Sequence, residues 1–286
     1  MFTVRAYASP AAFLGRAEGW LMRHEDRHNL MLSLAMVRAR REGTGDADTG
    51  LYATVEEPHT GGIVGCVVRT PPHKVLITEL PTDAARAVAS FLAQRYSEIP
   101  AVLGPVGAAG ALARAWAERS SDDVQPGMAQ GVYRLDAVRR PRQVEGRLRA
   151  ATVADAELAV RWGEDFAQET GIPFPPSRDT VGRWIEGGTL HVWEADTRPV
   201  SIAVAHGRTP RGVRIGYVYT PRERRGRGYA SAVVARLSQK MLDGGCAFCV
   251  LYTDLSNPTS NAIYQRIGYR LLETVQDFEL VPRRGT

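Results

Sequence analysis

Two short stretches of the chain contain metal-ligating residue types at spacings that zinc sites use. Residues 23–30, RHEDRHNL, contain a literal H-E-x-x-H formed by His24, Glu25 and His28. On an α-helix this pattern places two imidazoles on one face, with a glutamate beside them as a general base. Residues 246–249, CAFC, contain a C-x-x-C pair. Each stretch is therefore a candidate metal site.

The rest of the sequence does not complete either site. A zinc peptidase needs a third ligand, and neither a downstream His nor a helix-borne Glu lies at the required spacing. The two histidines instead continue the apolar stripe of one predicted helix, Ala17, Trp20, Leu21, His24, His28, Met31 and Ala35. The stretch CAFCVLY is typical of a buried strand, where a spacing of three residues directs the two thiols to opposite faces. We therefore predict partly buried histidines on one helix, cysteines in a core, and no metal cofactor.

A third stretch, residues 214–241, predicts a site for an anion. An apolar strand ends in the segment 221–228, PRERRGRG, and a helix follows at once. We call residues 221–228 the glycine–arginine loop. Its glycines let an anion approach the backbone, its arginines offer charge-assisted hydrogen bonds, and the helix start adds free N–H groups and a positive dipole end. This order predicts a pyrophosphate-binding loop, with a solvated basic turn as the alternative.

The sequence around this loop limits which phosphate-containing ligand it can bind. The sequence has no G-K-[ST], which excludes a P-loop. GRGYAS approximates G-x-G-x-x-G, and Asp254 ends the next predicted strand at the distance of a ribose-binding acid, which leaves a nicotinamide-dinucleotide oxidoreductase open. However, a charged stretch separates Pro221 from Gly226, where a dinucleotide-binding strand would run straight into its glycines. The loop therefore favours a different phosphate ligand.

The amino-acid composition limits the type of protein that this chain can be. The chain has 286 residues, 44% of them hydrophobic and 23% charged, as in a soluble globular protein of one or two domains. Its apolar runs are shorter than a membrane span, and the N-terminus MFTVRAYASP lacks a signal-peptide core. Three cysteines fit a reducing compartment, so we predict a cytoplasmic protein without membrane contact. A net charge of +5 favours an anionic ligand.

Periodicity predicts two mixed α/β halves joined by a basic linker at 138–149, with domain boundaries of 1–140 and 141–286. In the first half, strands are predicted at 51–57, 63–70, 74–79 and 131–136, and helices at 82–97 and 106–119. In the second half, Thr152 and Asp155 cap a helix that ends near Glu169. The remaining predicted elements are helices at 178–187, 228–242 and 258–267, and strands at 189–195, 199–206, 213–220, 247–253 and 269–280.

The helix predicted at 258–267 carries a polar stripe. Asn257 is a natural N-cap and Pro258 suits the first helical position. Asn257, Asn261 and Tyr264 fall on one stripe, whereas the apolar residues fall on the other side. The stripe could face solvent, but a tyrosine hydroxyl is also a possible general acid.

Two motifs together resemble the GCN5-related N-acetyltransferase (GNAT) superfamily. RGRGYA, residues 225–230, matches its R/Q-x-x-G-x-G/A signature, and NPTSNAIYQRIGY, residues 257–269, matches its later motif N-x-x-(S/A)-x-x-x-Y-x-x-x-G-(F/Y). The motifs occur in the right order, and the resemblance covers about residues 147–280. The first half lacks both motifs, and its equivalent loop, ELPTDAARA, has no glycine. The resemblance implies two tandem acyl-CoA N-acyltransferase-like domains, the first a degenerate copy without a coenzyme site.

The resemblance also implies an activity and its residues. Acetyl-CoA would be the cosubstrate, in a cleft where the strand at 213–220 splays from the strand at 247–253, and an amine acceptor would attack the thioester directly in a ternary complex. Tyr264 would protonate the leaving thiolate, and Glu169 is a candidate general base, with a water chain as the alternative. The expected coenzyme-binding residues are Val218, Tyr219, Thr220, Arg225, Gly226, Arg227, Gly228, Tyr229, Ala230, Asn257 and Asn261. The segment 165–187, with Phe166, Phe174 and Trp184, would line the acceptor pocket.

The sequence leaves several alternatives open. A non-catalytic coenzyme-A-binding or nucleic-acid-binding protein would also fit the charge, although nucleic acid is not the expected partner. Within the superfamily, two-domain members include thiol-cofactor synthases and aminoacyl transferases, so the acceptor could be a small amine, an amino sugar or a peptide terminus. We expect a monomer or a homodimer.

Overall fold

The computed structural model describes residues 2–42, 49–139 and 143–283. Its first half contains a mixed series of helices and strands. In chain order they are β1 (Thr3–Ala6), α1 (Pro10–Leu21), α2 (Asn29–Ala39), β2 (Leu51–Glu56), β3 (Ile63–Arg69), β4 (Val75–Ile77), α3 (Ala84–Ala93), β5 (Ala101–Pro105), α4 (Val106–Ser120) and β6 (Asp122–Leu135).

The second half repeats the same order of elements. They are β7 (Arg147–Ala150), α5 (Ala156–Thr170), α6 (Arg178–Glu186), β8 (Leu190–Ala195), β9 (Arg198–His206), β10 (Gly212–Tyr219), α7 (Tyr229–Asp243), β11 (Phe248–Asp254), α8 (Pro258–Ile267) and β12 (Arg270–Pro282). The elements predicted here are all present, with ends that differ by at most two residues. Thr152 and Asp155 form the capping box ahead of α5, as predicted.

The prediction missed strands that lack a clear pattern. β1 is a mostly exposed strand, and β7 is a short basic strand that begins inside the segment predicted as a linker. β6 extends well upstream of the predicted 131–136 and contains Pro126 and Gly127, residue types that argue against a strand. Neighbouring strands stabilise these segments in a way that local composition does not reveal. The predicted boundary at residues 140 and 141 lies outside the described residues.

The H-E-x-x-H segment does not form one helix, so that prediction is wrong. α1 ends at Leu21, a short 3₁₀ turn spans Met22–His24, and α2 starts only at Asn29. His28 is buried, stacks on Trp20 at a ring distance of 5.1 Å and places Nδ1 2.9 Å from the Leu21 carbonyl oxygen. His24 is exposed. The packing of His28 therefore fixes the bend between two helices.

Candidate metal ligands do not assemble in the described part of the chain. Over residues 2–42, 49–139 and 143–283, no three His, Cys, Asp or Glu side chains converge as metal ligands would. Cys66, Cys246 and Cys249 are free and buried, which confirms that the C-x-x-C cysteines belong to a core. Burial raises the pKa of the Cys249 thiol to about 12, which disfavours the thiolate that a metal would need.

The chain divides into two compact units, and the first includes its C-terminal strand. This unit comprises Met1–Val132, Asp254–Ser256 and Leu272–Thr286. Its strands follow the order β1-β2-β3-β4-β5-β12-β6. β12 pairs antiparallel with β5, from Val275 opposite Pro105 to Glu279 opposite Ala101. The sequence prediction placed this strand in the second domain, because pairing between strands far apart in sequence leaves no local signal.

The second unit comprises Tyr133–Thr253 and Asn257–Leu271. Its strands follow the order β11-β10-β9-β8-β7. On one face of this sheet, α5 and α6 pack against apolar side chains that include Ile202 and Val204 of β9. α7 packs against β8, β9 and β10, and the alternate β9 residues Ala203 and Ala205 are also buried. Both faces are therefore covered, as in a mixed α/β fold. No helix among the described residues is long and apolar enough to cross a membrane.

Candidate active site

A β-bulge interrupts β10 close to its C-terminal end. Gly216 lies opposite Val204 of β9, but Tyr219 lies opposite Ile202, so Tyr217 and Val218 together face one residue, Ala203. Tyr217 has a φ angle of 48°, a left-handed conformation that is strained for a tyrosine. A bulge leaves its extra residue out of the ladder. Tyr217 and Val218 therefore depart from the regular pairing of the sheet.

The sheet also opens beside this bulge. β10 and β11 pair in parallel from Gly212 opposite Phe248 to Arg214 opposite Val250. Among the described residues, this pairing stops at Arg214, although β10 continues to Tyr219. The opening lies where the sequence predicted a cleft between the two strands.

The glycine–arginine loop connects the bulged strand to α7. After Pro221 the chain makes a 3₁₀ turn over Arg222–Arg224, and then Gly226 and Gly228 adopt φ angles of 76° and 85°. Gly228 is the N-cap of α7 and provides no side chain to bind the first N–H groups of the helix. These groups have no partner within the helix. The loop is largely exposed, so it presents backbone donors and arginines to a ligand.

An ion-pair cluster joins this loop to the end of α5. Arg225 donates from Nε to the Thr220 carbonyl oxygen at 2.9 Å and from Nη2 to Glu169 at 2.6 Å. Arg222 donates to the other carboxylate oxygen of Glu169 at 3.2 Å. Partial burial acts to raise the pKa of Glu169, but the hydrogen bonds and charges of Arg225 and Arg222 outweigh it and hold that pKa below its usual value. The geometry thus favours a role in positioning Arg225 over the general-base role predicted from the sequence.

Tyr219 and Thr220 are buried where the strand meets the loop. The Ser201 hydroxyl donates to the Tyr219 carbonyl oxygen and lies within 2.9 Å of the Thr220 hydroxyl. The Tyr219 hydroxyl donates to Asp165 at 3.4 Å. Their side chains and carbonyl groups are therefore used to hold the loop. Ser201 was missed because a buried serine in a strand carries no sequence signal.

α8 carries the second motif. The Asn257 side chain accepts a hydrogen bond from the Ser260 N–H at 3.0 Å, which confirms the predicted N-cap. Asn261 and Tyr264 follow on the same helix and are both partly exposed. The Tyr264 ring lies 6.0 Å from that of Tyr269. Burial of the hydroxyl raises the pKa of Tyr264 to about 12, so the phenol stays protonated at neutral pH and can donate a proton or a hydrogen bond.

Two of the three predicted pocket aromatics pack around the bulge. The ring centroids of Trp184 and Phe166 lie 4.7 and 5.5 Å from that of Tyr217. Phe174 is 47% exposed. α5 and α6 therefore supply an aromatic wall beside the bulged strand.

Comparison with known proteins identifies the second half. The model of a family described as "Acetyltransferase (GNAT) family" matches residues 159–269. No curated protein matches the sequence. The family match confirms the resemblance that the two motifs indicated, because it contains both of them.

Solved structures match over the whole chain. A Drosophila protein has a TM-score of 0.71 at 13% identity, with 98% of this chain and 99% of that chain covered. A GCN5-related N-acetyltransferase from Sphaerobacter thermophilus has a TM-score of 0.63 at 18% identity, covering 100% and 97%. A tandem GNAT protein from the clavulanic acid biosynthesis pathway has a TM-score of 0.56 at 11% identity, covering 100% of both chains. This likeness shows the fold, two acyl-CoA N-acyltransferase-like domains.

The matched segment includes the bulged strand, the glycine–arginine loop and the α8 tyrosine. The features found independently in the structure are thus parts of one family domain. Residues 159–269 of this chain form a domain of the acetyltransferase (GNAT) family, whose members transfer acyl groups from acyl-CoA.

Proposed function

We propose that the protein transfers an acetyl group from acetyl-CoA to an amine acceptor by direct attack in a ternary complex. The observation that supports this proposal most strongly is the position of three features within the family domain. The bulge at Tyr217, the opening between β10 and β11, and the glycine–arginine loop follow one another along the chain. They would serve the acyl group, the pantetheine arm and the pyrophosphate in that order.

The loop and the start of α7 are proposed to bind the pyrophosphate. Backbone N–H groups from Gly226 to Ala230 and the positive end of the α7 dipole favour an anion. Arg225 and Arg227 add positive charge at an exposed site. Gly226 has open space around the position of a Cβ, so an anion can come close to the backbone there. The proposed coenzyme contacts of Tyr229, Asn257 and Asn261 lie on the first turns of α7 and α8.

The chemistry needs an oxyanion site and a proton donor. Backbone N–H groups near Val218 are proposed to stabilise the charge that develops on the thioester oxygen. Tyr264 is proposed to donate to the leaving thiolate, which its raised pKa permits because the phenol is protonated at neutral pH. The acceptor amine loses its proton to a water chain, because both oxygens of Glu169 accept hydrogen bonds from arginines and its lowered pKa makes it a weak base.

The first unit is proposed to have no coenzyme site of its own. Its counterpart of the glycine–arginine loop leads from β4 into α3, and α3 has Asp83 as its N-cap. A carboxylate at this position would repel a pyrophosphate. We also propose a cytoplasmic location, because the three thiols are free and buried, and an acceptor that is a small-molecule or peptide amine.

Acetyl-CoA should protect the protein against heat, whereas NADPH should not. At a ligand concentration of about 100 times Kd, binding adds about 2.7 kcal/mol of stability, which raises Tm by several degrees. Differential scanning fluorimetry with each ligand measures this shift. A shift with NADPH and none with acetyl-CoA would favour the dinucleotide oxidoreductase and overturn the proposed function. Multiple-turnover thiol release with a panel of amines then separates an enzyme from a non-catalytic coenzyme-A-binding protein.

Glu169→Gln should change coenzyme binding more than turnover. Losing the pair with Arg225 should raise the KM for acetyl-CoA by up to about fivefold, since an exposed ion pair is worth up to about 1 kcal/mol. Steady-state kinetics across pH measures both constants. Glu157→Gln is the matched control, because Glu157 lies on the same helix and pairs with an arginine outside the loop, Arg178. A large fall in kcat together with loss of the acidic limb of the pH profile would restore Glu169 as the general base.

A further inference from the structure

One face of β10 carries a cluster that the coenzyme site does not use. Arg214 of β10 lies directly opposite His206 of β9. Their side chains share a face with Val204, which is the face that α5 and α6 cover. The His206 ring lies 5.9 Å from Tyr217 and 6.4 Å from Trp184. A guanidinium and an imidazole thus stand in the aromatic wall next to the bulge.

Two glycines make room for these side chains. A Cβ built on Gly207 would lie 2.8 Å from Nη2 and 2.9 Å from Cζ of Arg214, so the guanidinium rests against the Gly207 backbone. A Cβ on Gly216 would lie 2.6 Å from Nε2 of His206. Larger residues at either position would displace the polar group. The backbone is therefore shaped to hold the guanidinium and the imidazole where they are.

The side chains of this cluster are only partly buried. Arg214, His206 and Tyr217 are all partly exposed, as is Trp184. In contrast, Val213 and Ile215, which alternate with Arg214 on β10, are buried. The cluster is therefore partly accessible to a ligand.

Arg214 carries the positive charge of this cluster. Burial lowers the pKa of Arg214, and the neighbouring phenols of Tyr252 and Tyr217 only partly oppose this effect. Burial, followed by the charge of Arg214, holds the pKa of His206 well below its usual value, so the imidazole is neutral at pH 7. A planar guanidinium among aromatic rings matches a carboxylate, which it binds through two parallel hydrogen bonds.

We propose, building on the acetyltransferase function proposed above, that the acceptor amine carries a carboxylate that Arg214 binds. The apolar part of the acceptor packs against Trp184 and Tyr217. Arg214 precedes the bulge by three residues, a distance of about 10 Å along a strand. The carboxylate is thus bound at a distance from the reacting amine, and Arg214 determines specificity without entering the chemistry.

The test compares matched acceptors that differ only in charge. Glycylphenylalanine and 6-aminohexanoic acid are each assayed against the corresponding carboxamide, which retains the amine and the shape. The wild-type protein should favour the acid in kcat/KM by at least about tenfold, because hydrogen bonds to a charged group are strong. The series also reports the preferred spacing between amine and carboxylate.

Variants assign the preference to Arg214. Arg214→Leu should abolish it by raising the KM for the acids, with little change for the amides and with the acetyl-CoA thermal shift retained. Arg214→Lys should keep part of the preference, since it keeps the charge but not the fork. Arg208→Leu is the matched control, because it removes an exposed positive charge just beyond β9 and should leave the preference unchanged.

The outcomes separate this proposal from the proposed function. Absence of an acetyl-CoA thermal shift would overturn the function itself. Two outcomes with a retained acetyl-CoA thermal shift would overturn the carboxylate site but not the proposed function. One is that the wild-type protein turns over acids and amides equally well. The other is that Arg214→Leu lowers the turnover of acids and amides equally. If none of these amines is acetylated, the N-acetylated acids and amides are compared as ligands of the CoA complex. If the N-acetylated acids do not protect the CoA complex against heat better than the amides, the carboxylate site is overturned.

Discussion

Gly228→Glu should raise the Kd for acetyl-CoA at least about 100-fold. The reason is that placing two negative charges next to each other costs several kcal/mol. The new carboxylate would stand at the start of α7, where the pyrophosphate is proposed to bind. Gly228 also has a φ angle of 85°, and a Cβ there would lie 2.9 Å from Cγ2 of Val144. Isothermal titration with acetyl-CoA measures the loss, and Tm without ligand shows whether the variant is folded.

Two further variants separate charge from shape. Gly228→Ala retains the strain and the Val144 contact without the charge, so its binding should be intermediate. Gly188→Glu adds the same charge at a positive φ of 61° with open space around it, outside the glycine–arginine loop. It should bind acetyl-CoA normally. If Gly228→Glu binds acetyl-CoA as tightly as the wild type, the loop is not the pyrophosphate site.

Tyr264→Phe should reduce turnover by about 10²–10⁴-fold with coenzyme affinity kept, because it removes only the proton donor. Burial raises the pKa of Tyr264 to about 12, so the phenol stays protonated well above neutral pH. The wild-type rate should therefore show no fall due to this residue below about pH 11, since a group loses its proton only near its own pKa. Steady-state kcat and the Kd for acetyl-CoA, measured across pH, check both statements.

Tyr269→Phe is the matched control for this change. Tyr269 is a buried tyrosine just after α8, and its hydroxyl lies 2.8 Å from that of Ser238 on α7. Its loss should affect stability but not turnover. Normal turnover by Tyr264→Phe with the best acceptor would show that water or another residue is the acid, whereas the coenzyme site would stand.

The sequence alone determined the features that depend on neighbouring residues. The capping box of Thr152 and Asp155, the N-cap Asn257 and the glycines of the loop were all predicted. Caps and turns depend on a few adjacent residues, so a short stretch of sequence is enough to predict them. The elements of the second half other than β7 were also predicted, because their apolar periodicity is strong.

The tertiary structure decided what depends on distant residues. β12 pairs with β5 of the first unit, although the chain order suggested the second. The role proposed for Glu169 differs from the sequence prediction because Arg222 and Arg225, more than fifty positions along the chain, bind its carboxylate. The bulge at Tyr217 and the break in the H-E-x-x-H helix are likewise set by packing against other elements. Strand pairing, ion pairs and strained backbone are stabilised by contacts between remote segments, and a local pattern does not encode which segments will meet.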